Sequence, residues 1–118
     1  MKLSLADILN ASQGLALTNN KELPVKCSYL LSRVQIKLNE PIKSFEESRN
    51  KLVTKYGTIQ EDKTIKVPDD KMEDFSKEIN ELLKTEEDIS ISPLSLSLFD
   101  GQNLSKEFFI LLDKLIIE

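Results

Sequence analysis

The chain has 118 residues, about the length of one ordinary domain, and 40% of its residues are hydrophobic while 31% are charged. One cysteine and no histidine exclude an intrachain disulfide, a cysteine-rich zinc site and the usual imidazole general base. No apolar run approaches the ~18 residues of a membrane span. We therefore expect a single intracellular domain over residues 1–118, with no cofactor and no membrane contact.

Charge is distributed unevenly along the chain, whose formal net charge is -4. Residues 24–56 hold seven Lys or Arg against three Glu, whereas residues 57–118 hold seven Lys against fifteen Asp or Glu. Opposite charges on the two parts favour attraction within one molecule or between copies.

The first predicted element is a helix over residues 5–17. Ser4 is a good N-cap, and Asp7 three residues on completes a variant of the capping box. Leu3 and Ile8 occupy the positions of a hydrophobic staple, which fixes how the chain enters the helix.

A long second helix is predicted over residues 24–56, beginning at Pro24 and stopping at Gly57. Pro41 lacks a backbone donor, so we expect a kink there or a break near Asn39 and Glu40. The apolar face recurs at spacings of three and four. Its members are Cys27, Leu31, Val34, Leu38, Ile42, Phe45, Leu52 and Tyr56, with Arg49 interrupting the pattern.

Two β-prone runs, residues 58–60 and 64–67, flank a polar turn and predict a small hairpin. Pro68 then opens a third helix, for which Asp70 and Glu73 form a predicted capping-box pair. The apolar stripe of this helix comprises Met72, Phe75, Ile79, Leu82 and Leu83.

The C-terminal part of the chain alternates between apolar and polar residues before its last helix. Glu86, Glu87 and Asp88 are interpreted as a polar connection. An extended segment with a bend at Pro93 follows, carrying Ile89, Ile91, Leu94, Leu96 and Leu98. A last helix is predicted over residues 104–116. The fold class is therefore α+β and mostly helical, with a long kinked central helix, shorter helices and a small β-hairpin or extended element.

Two acidic clusters and one thiol are the only candidates for catalysis. Asp69, Asp70, Glu73 and Asp74 could hold a divalent cation, but helix capping and interaction with the helix dipole are the favoured interpretation. The trio at 86–88 is better explained as a solvated connection than as an acid–base pair. Cys27 has no histidine to activate it and lies on the apolar stripe, so we expect a buried small hydrophobe.

Surface binding is the remaining source of function. The wide apolar surface of the last helix predicts a homo-oligomer to which residues 104–117 contribute. Lys26, Arg33 and Lys37 are candidate contacts for an anionic ligand, whereas a pI of about 5.0 and only two arginines argue against nucleic acid. The candidate interface residues are Tyr29, Phe108, Phe109, Leu112 and Ile116.

A series of short phrases carries a resemblance to a known group of proteins. They are Leu23-Pro24-Val25-Lys26, Phe45-Glu46-Glu47-Ser48-Arg49, Lys55-Tyr56-Gly57, Ile65-Lys66-Val67-Pro68, Phe75-Ser76-Lys77-Glu78-Ile79 and Ile89-Ser90-Ile91. In layout the chain resembles, over residues 23–91, small uncharacterised proteins of tailed bacteriophages. The resemblance implies a viral, non-enzymatic protein in the cytoplasm of the host cell or in the virion, and it transfers no site residues.

Three hypotheses about function follow. The leading one is a protein–protein interaction in a phage, in particle assembly or in inhibition of a host protein. The alternative is an oligomeric module that sequesters a nucleotide-like signal to counter host defence, with Lys and Arg on phosphates and Tyr29 stacking on a base. A carboxylate enzyme with a metal ion is the least favoured, and we expect no enzymatic activity.

Overall fold

One helix sets the long axis of the molecule. The computed structural model describes all residues 1–118, and its extents are 50 × 30 × 22 Å. Helix α2 (Val25–Tyr56) has 32 residues, which at 1.5 Å per residue gives a rod of about 48 Å. The predicted long central helix is therefore the element around which the rest of the chain is arranged.

The other elements are short, and the strands form three separate pairs. The predicted class, α+β and mostly helical, is confirmed. No helix combines the length and the apolar character needed to cross a bilayer. The elements are β1 (Lys2–Ser4), α1 (Leu5–Ala16), β2 (Thr58–Ile59), β3 (Ile65–Lys66), α3 (Asp69–Leu83), β4 (Glu86–Asp88), β5 (Leu94–Ser95), α4 (Lys106–Leu111) and β6 (Ile116–Ile117), with 3-10 turns at Leu96–Phe99 and Asp113–Leu115.

The core lies where α1, the first half of α2 and α4 meet. Sixteen buried hydrophobic side chains form one cluster there, and no polar or charged residue is buried. The predicted stripe of α2 supplies five of them, namely Cys27, Leu31, Val34, Leu38 and Phe45. Beyond Phe45 the helix has only half-buried apolar residues, so its second half is covered more thinly.

The start of α1 follows its sequence closely. The Asp7 amide donates to the Ser4 hydroxyl at 3.1 Å, and the Ser4 amide donates back to the Asp7 carboxylate at 3.3 Å. Both halves of the predicted capping box are therefore present. Leu3 and Ile8, the predicted staple pair, are both buried.

Helix α2 runs through Pro41 without interruption, so the predicted break near Asn39 is wrong. The predicted kink stays a prediction. Apolar packing on both sides of the proline, by Leu38 and Phe45, holds the two halves in one helix. Tertiary burial outweighs the local cost of proline in a helix interior.

The hairpin and α3 cover the far end of α2. Strands β2 and β3 form the predicted hairpin, and they pair antiparallel with Ile59 opposite Ile65. The Lys55 ammonium lies 3.4 Å from the Glu78 carboxylate, and the Tyr56 and Phe75 rings meet edge to face. The Tyr56 hydroxyl, followed by the Lys55 ammonium, lowers the pKa of Glu78.

The predicted capping box of α3 is wrong. The helix begins at Asp69, two residues before the start that an Asp70 N-cap implies, and its N-cap is Pro68, which offers no side-chain acceptor. Asp69 and Asp70 thus lie in the first turn, where their carboxylates interact favourably with the helix dipole. The α3 stripe is half-exposed, since none of its residues is buried.

Gly57 ends α2 as predicted, but in an extended conformation with its amide donating to the Val53 carbonyl at 2.7 Å. A β-carbon at this position would clash with the Ile65 side chain and with the Val53 carbonyl oxygen. Glycine therefore allows the hairpin to approach the helix end closely.

We expect Gly57→Ala to lower the free energy of unfolding by about 1–3 kcal/mol, because an overpacked contact displaces neighbouring atoms. Urea denaturation followed by circular dichroism measures the change. Gly101→Asn is the matched control, since Gly101 has φ 75°, which asparagine tolerates, and nothing within 4 Å of a β-carbon. Equal stability of the Gly57→Ala variant and wild type would contradict the close approach.

Two C-terminal predictions are corrected. The acidic trio 86–88 is not a loop but strand β4, which pairs antiparallel with β1 so that Leu3 faces Glu87. The last helix covers only Lys106–Leu111, capped by the Ser105 hydroxyl, which accepts from the Phe108 amide at 3.2 Å. The chain then turns and forms β6, parallel to β5 with Leu94 opposite Ile116. Strand pairing thus overrides the helical pattern at the end of the chain.

Candidate functional site

The predicted interface at the last helix is largely core. Phe108 and Leu112 are 0% exposed, so the prediction that they contact a partner is wrong. Phe108 meets Phe99 and Phe109 edge to face, with centroids 5.3 and 5.2 Å apart. Phe109 and Ile116 are half-buried against the same core. The wide apolar surface of this helix is therefore covered by the chain itself.

Tyr29, by contrast, lies on a solvent-exposed apolar face. Val25 is 87% exposed, and Tyr29 and Ile36 are each 61% exposed. At about 100° per residue, these three side chains fall within about 40° of one another on α2. We call them the outer face. It points away from the buried stripe on the opposite side of the same helix, so α2 is apolar on two sides.

A groove runs along one flank of α2, between its first half and residues 90–98. Two pockets form it, with volumes of about 560 and 240 Å³, and they share Leu30, Ser92 and Leu94. The volume of the larger pocket falls within the range of small-molecule sites. We call this cleft the α2 groove. The lining residues are Pro24, Lys26, Cys27, Tyr29, Leu30, Arg33, Val34 and Lys37 from the helix side, and Ser90, Ile91, Ser92, Pro93, Leu94, Ser95, Ser97 and Leu98 from the other.

The structure brings the three predicted anion contacts to this one groove. Lys26 borders the larger pocket, and Arg33 and Lys37 border the smaller one. All three are exposed and take part in none of the ion pairs or side-chain hydrogen bonds of the chain. The ion pair between side chains is Lys55–Glu78, at the far end of α2. Lys26, Arg33 and Lys37 therefore make no ion pair with the acidic residues 57–118.

Serines form the facing wall of the groove, and the sequence reasoning missed them. Ser90, Ser92, Ser95 and Ser97 line it, next to apolar residues whose side chains pack on the core, such as Ile91 and Leu94. In the sequence these serines are the polar positions of the alternating pattern from which the extended segment was predicted. The apolar half predicts burial, whereas exposed serines by themselves indicate no particular partner.

Two of the serines keep their hydrogen-bonding groups free. The Ser95 and Ser97 hydroxyls bond each other at 2.8 Å. The hydroxyls and amides of Ser90 and Ser92 donate to no other group of the chain. These donors lie beside Arg33 and Lys37 around the pocket of about 240 Å³. The smaller pocket thus gathers donors from both walls.

Beyond Lys37, the charged residues along this flank of α2 are acidic rather than basic. A third pocket of about 310 Å³ extends past Lys37 and is lined by Glu40, Glu87 and Asp88. Those carboxylates lie on the far side of Lys37 and make no ion pair with it. An anion is therefore favoured on the Arg33 side of Lys37 rather than beyond Lys37.

The remaining candidates for chemistry are not brought together in one site. Cys27 is buried on the core stripe as predicted, and desolvation raises the pKa of its thiol. Asp69, Asp70, Glu73 and Asp74 are exposed at the start of α3. No group of three or more acidic or cysteine side chains has the arrangement of a metal site.

The outer face and the α2 groove lie side by side on the first half of α2, and Tyr29 belongs to both. Comparison of the chain with protein-family models, with curated proteins and with solved structures finds no match.

Proposed function

We propose that this chain is a non-enzymatic, phage-type protein that acts by binding another protein, in particle assembly or in inhibition of a host protein. Its place of action is the cytoplasm of the host cell or the virion. The outer face of α2 is the contact surface. The candidate interface thereby moves from the last helix to Tyr29 and its neighbours Val25 and Ile36.

The exposure of these three side chains carries the proposal. Burying an exposed Val or Ile side chain contributes about 1.5–3 kcal/mol. Val25, Tyr29 and Ile36 lie on one face of α2. These residues stand at positions i, i+4 and i+11, and helices commonly present apolar anchors at such helical spacings to a groove in a partner. Tyrosine is also favoured at the centre of protein interfaces.

The experiment compares partner capture by wild type and by a triple variant, Val25→Ser, Tyr29→Ser and Ile36→Ser. We expect wild type to retain a specific protein from infected or host cells, and the triple variant to bind that protein at least tenfold more weakly. The affinity is then measured with the purified pair by calorimetry. Light scattering of the chain alone, at increasing concentration, tests whether a second copy is the partner.

A matched control uses exposed isoleucines elsewhere. Ile59 and Ile110 are 78% and 63% exposed, on the hairpin and on α4. An Ile59→Ser, Ile110→Ser variant should bind as wild type does. The proposal fails if no specific protein or second copy is bound, or if the control loses binding as much as the triple variant.

A further inference from the structure

We propose that the α2 groove binds a nucleotide, with a phosphate held between Arg33, Lys37 and the Ser90–Ser92 wall, and the base stacked on Tyr29. This inference goes beyond protein binding by the outer face. It gives the ligand-sequestering hypothesis a site within one chain rather than at an oligomer interface.

The convergence of free donors around one small pocket is the first step. Arg33 and Lys37 come from α2, one turn apart, while Ser90 and Ser92 come from a segment more than fifty residues further along the chain. The guanidinium, the ammonium and both hydroxyls are without partners in the chain. Arginine and lysine with hydroxyl and amide donors are the groups that proteins use for phosphate.

The sign and number of charges favour phosphate over a single carboxylate. Lys26 adds a third cation along the same flank, and no acidic residue lines either pocket of the groove. Lys37 and Ser90 also border the neighbouring pocket that holds Glu40, Glu87 and Asp88, so the phosphate is placed on the Arg33 side. A phosphate carries more than one negative charge near pH 7 and has three oxygens to accept bonds. Two cations and two hydroxyls around the smaller pocket therefore match one phosphate, and Lys26 lies beside the larger pocket, where a second phosphate can be accommodated.

The rest of the groove suits the apolar and aromatic part of a nucleotide. Its floor is apolar, with Leu30, Val34 and Leu94 between the polar walls. Tyr29 lines the smaller pocket and is 61% exposed, and an exposed aromatic ring is the group on which proteins stack a base. Apolar lining with a few convergent polar groups is typical of small-ligand sites.

Thermal shift and calorimetry at low ionic strength test the site with three probes: inorganic phosphate, adenosine and ATP. We expect ATP to raise the melting temperature in a concentration-dependent way and to bind more tightly than phosphate, with adenosine weakest. An Arg33→Gln, Lys37→Gln variant should bind ATP at least tenfold more weakly. A Ser90→Ala, Ser92→Ala variant should bind ATP several-fold more weakly.

Control variants on the same helix make the test specific. Arg49→Gln, Lys51→Gln removes the same charge from exposed positions outside the groove and should bind ATP as wild type does. Tyr29→Ala should weaken the binding of ATP without changing the affinity for inorganic phosphate. Flat titrations with all probes at millimolar concentration would overturn the site, as would equal losses in the groove and control variants.

The outcome is separable from that of the outer face. Val25 and Ile36 do not line either pocket of the groove, so Val25→Ser, Ile36→Ser should leave ATP binding unchanged. Loss of ATP binding in that variant would contradict the groove assignment. Loss of protein capture alone would bear on the outer face alone.

Discussion

Phe108→Ala is expected to lower the free energy of unfolding by about 3–5 kcal/mol, the range for truncating a fully buried phenylalanine. Phe108 is 0% exposed and its ring touches those of Phe99 and Phe109. Truncation removes both edge-to-face contacts and leaves a cavity between α4 and the core. Since domains are stable by about 5–15 kcal/mol, the variant should be close to unfolding at 37 °C.

Denaturant titration at two protein concentrations separates core from interface. A core residue changes stability equally at both concentrations, whereas an interface residue changes it most where the oligomer dominates. Ile110→Ala is the matched control, because Ile110 lies on the same helix and is 63% exposed. Its effect should stay within about 0.5 kcal/mol. Similar losses of stability in both variants, or a loss that depends on protein concentration, would indicate that Phe108 contacts a second copy.

The sequence was sufficient where structure is decided locally. Ser4 and Asp7 close the start of α1 within four residues, and the spacing of Cys27, Leu31 and Val34 marks the buried side of α2. Caps and helical periodicity need no knowledge of distant residues. For the same reason the hairpin around residues 60–64 was predictable.

Elements that depend on distant partners were not predictable. Glu86, Glu87 and Asp88 have a composition that disfavours strands, and only β1 at the other end of the chain makes them one. Ile116 leaves the helical pattern because Leu94 offers a parallel strand. Phe108 shows the same limit at the level of function, since an apolar helix face is identical in sequence whether it packs on its own core or on a partner.

The candidate site was half predictable. Lys26, Arg33 and Lys37 recur at spacings of seven and four, and helical periodicity alone places residues at these spacings on one flank of a helix. Which segment packs against that flank of α2 depends on the path of the chain after α3. The Ser90 and Ser92 wall is therefore a tertiary feature, and it is the part that turns a row of cations into a groove.

Pro41→Ala is the prediction with the next largest effect, and here stability should rise. Proline in a helix interior costs about 3 kcal/mol relative to alanine, because the ring clashes with the preceding turn and a backbone hydrogen bond is lost. Pro41 lies inside α2, with the carbonyl of Lys37 deprived of its usual donor. Restoring the amide should raise the free energy of unfolding by about 2–3 kcal/mol, measured by denaturant titration.

The sign of the change in stability shows whether Pro41 only destabilises α2 or also supports the packing around it. Lys43→Ala, an exposed position two residues on, should alter stability by no more than about 0.5 kcal/mol and serves as the control. A destabilised Pro41→Ala variant would contradict the prediction, because it would mean that packing of Leu38 and Phe45 depends on a bend at the proline. Since Pro41 and Lys37 both line the acidic pocket beyond the groove, ATP titration of the variant also shows whether the shape of the helix sets the spacing of the groove cations.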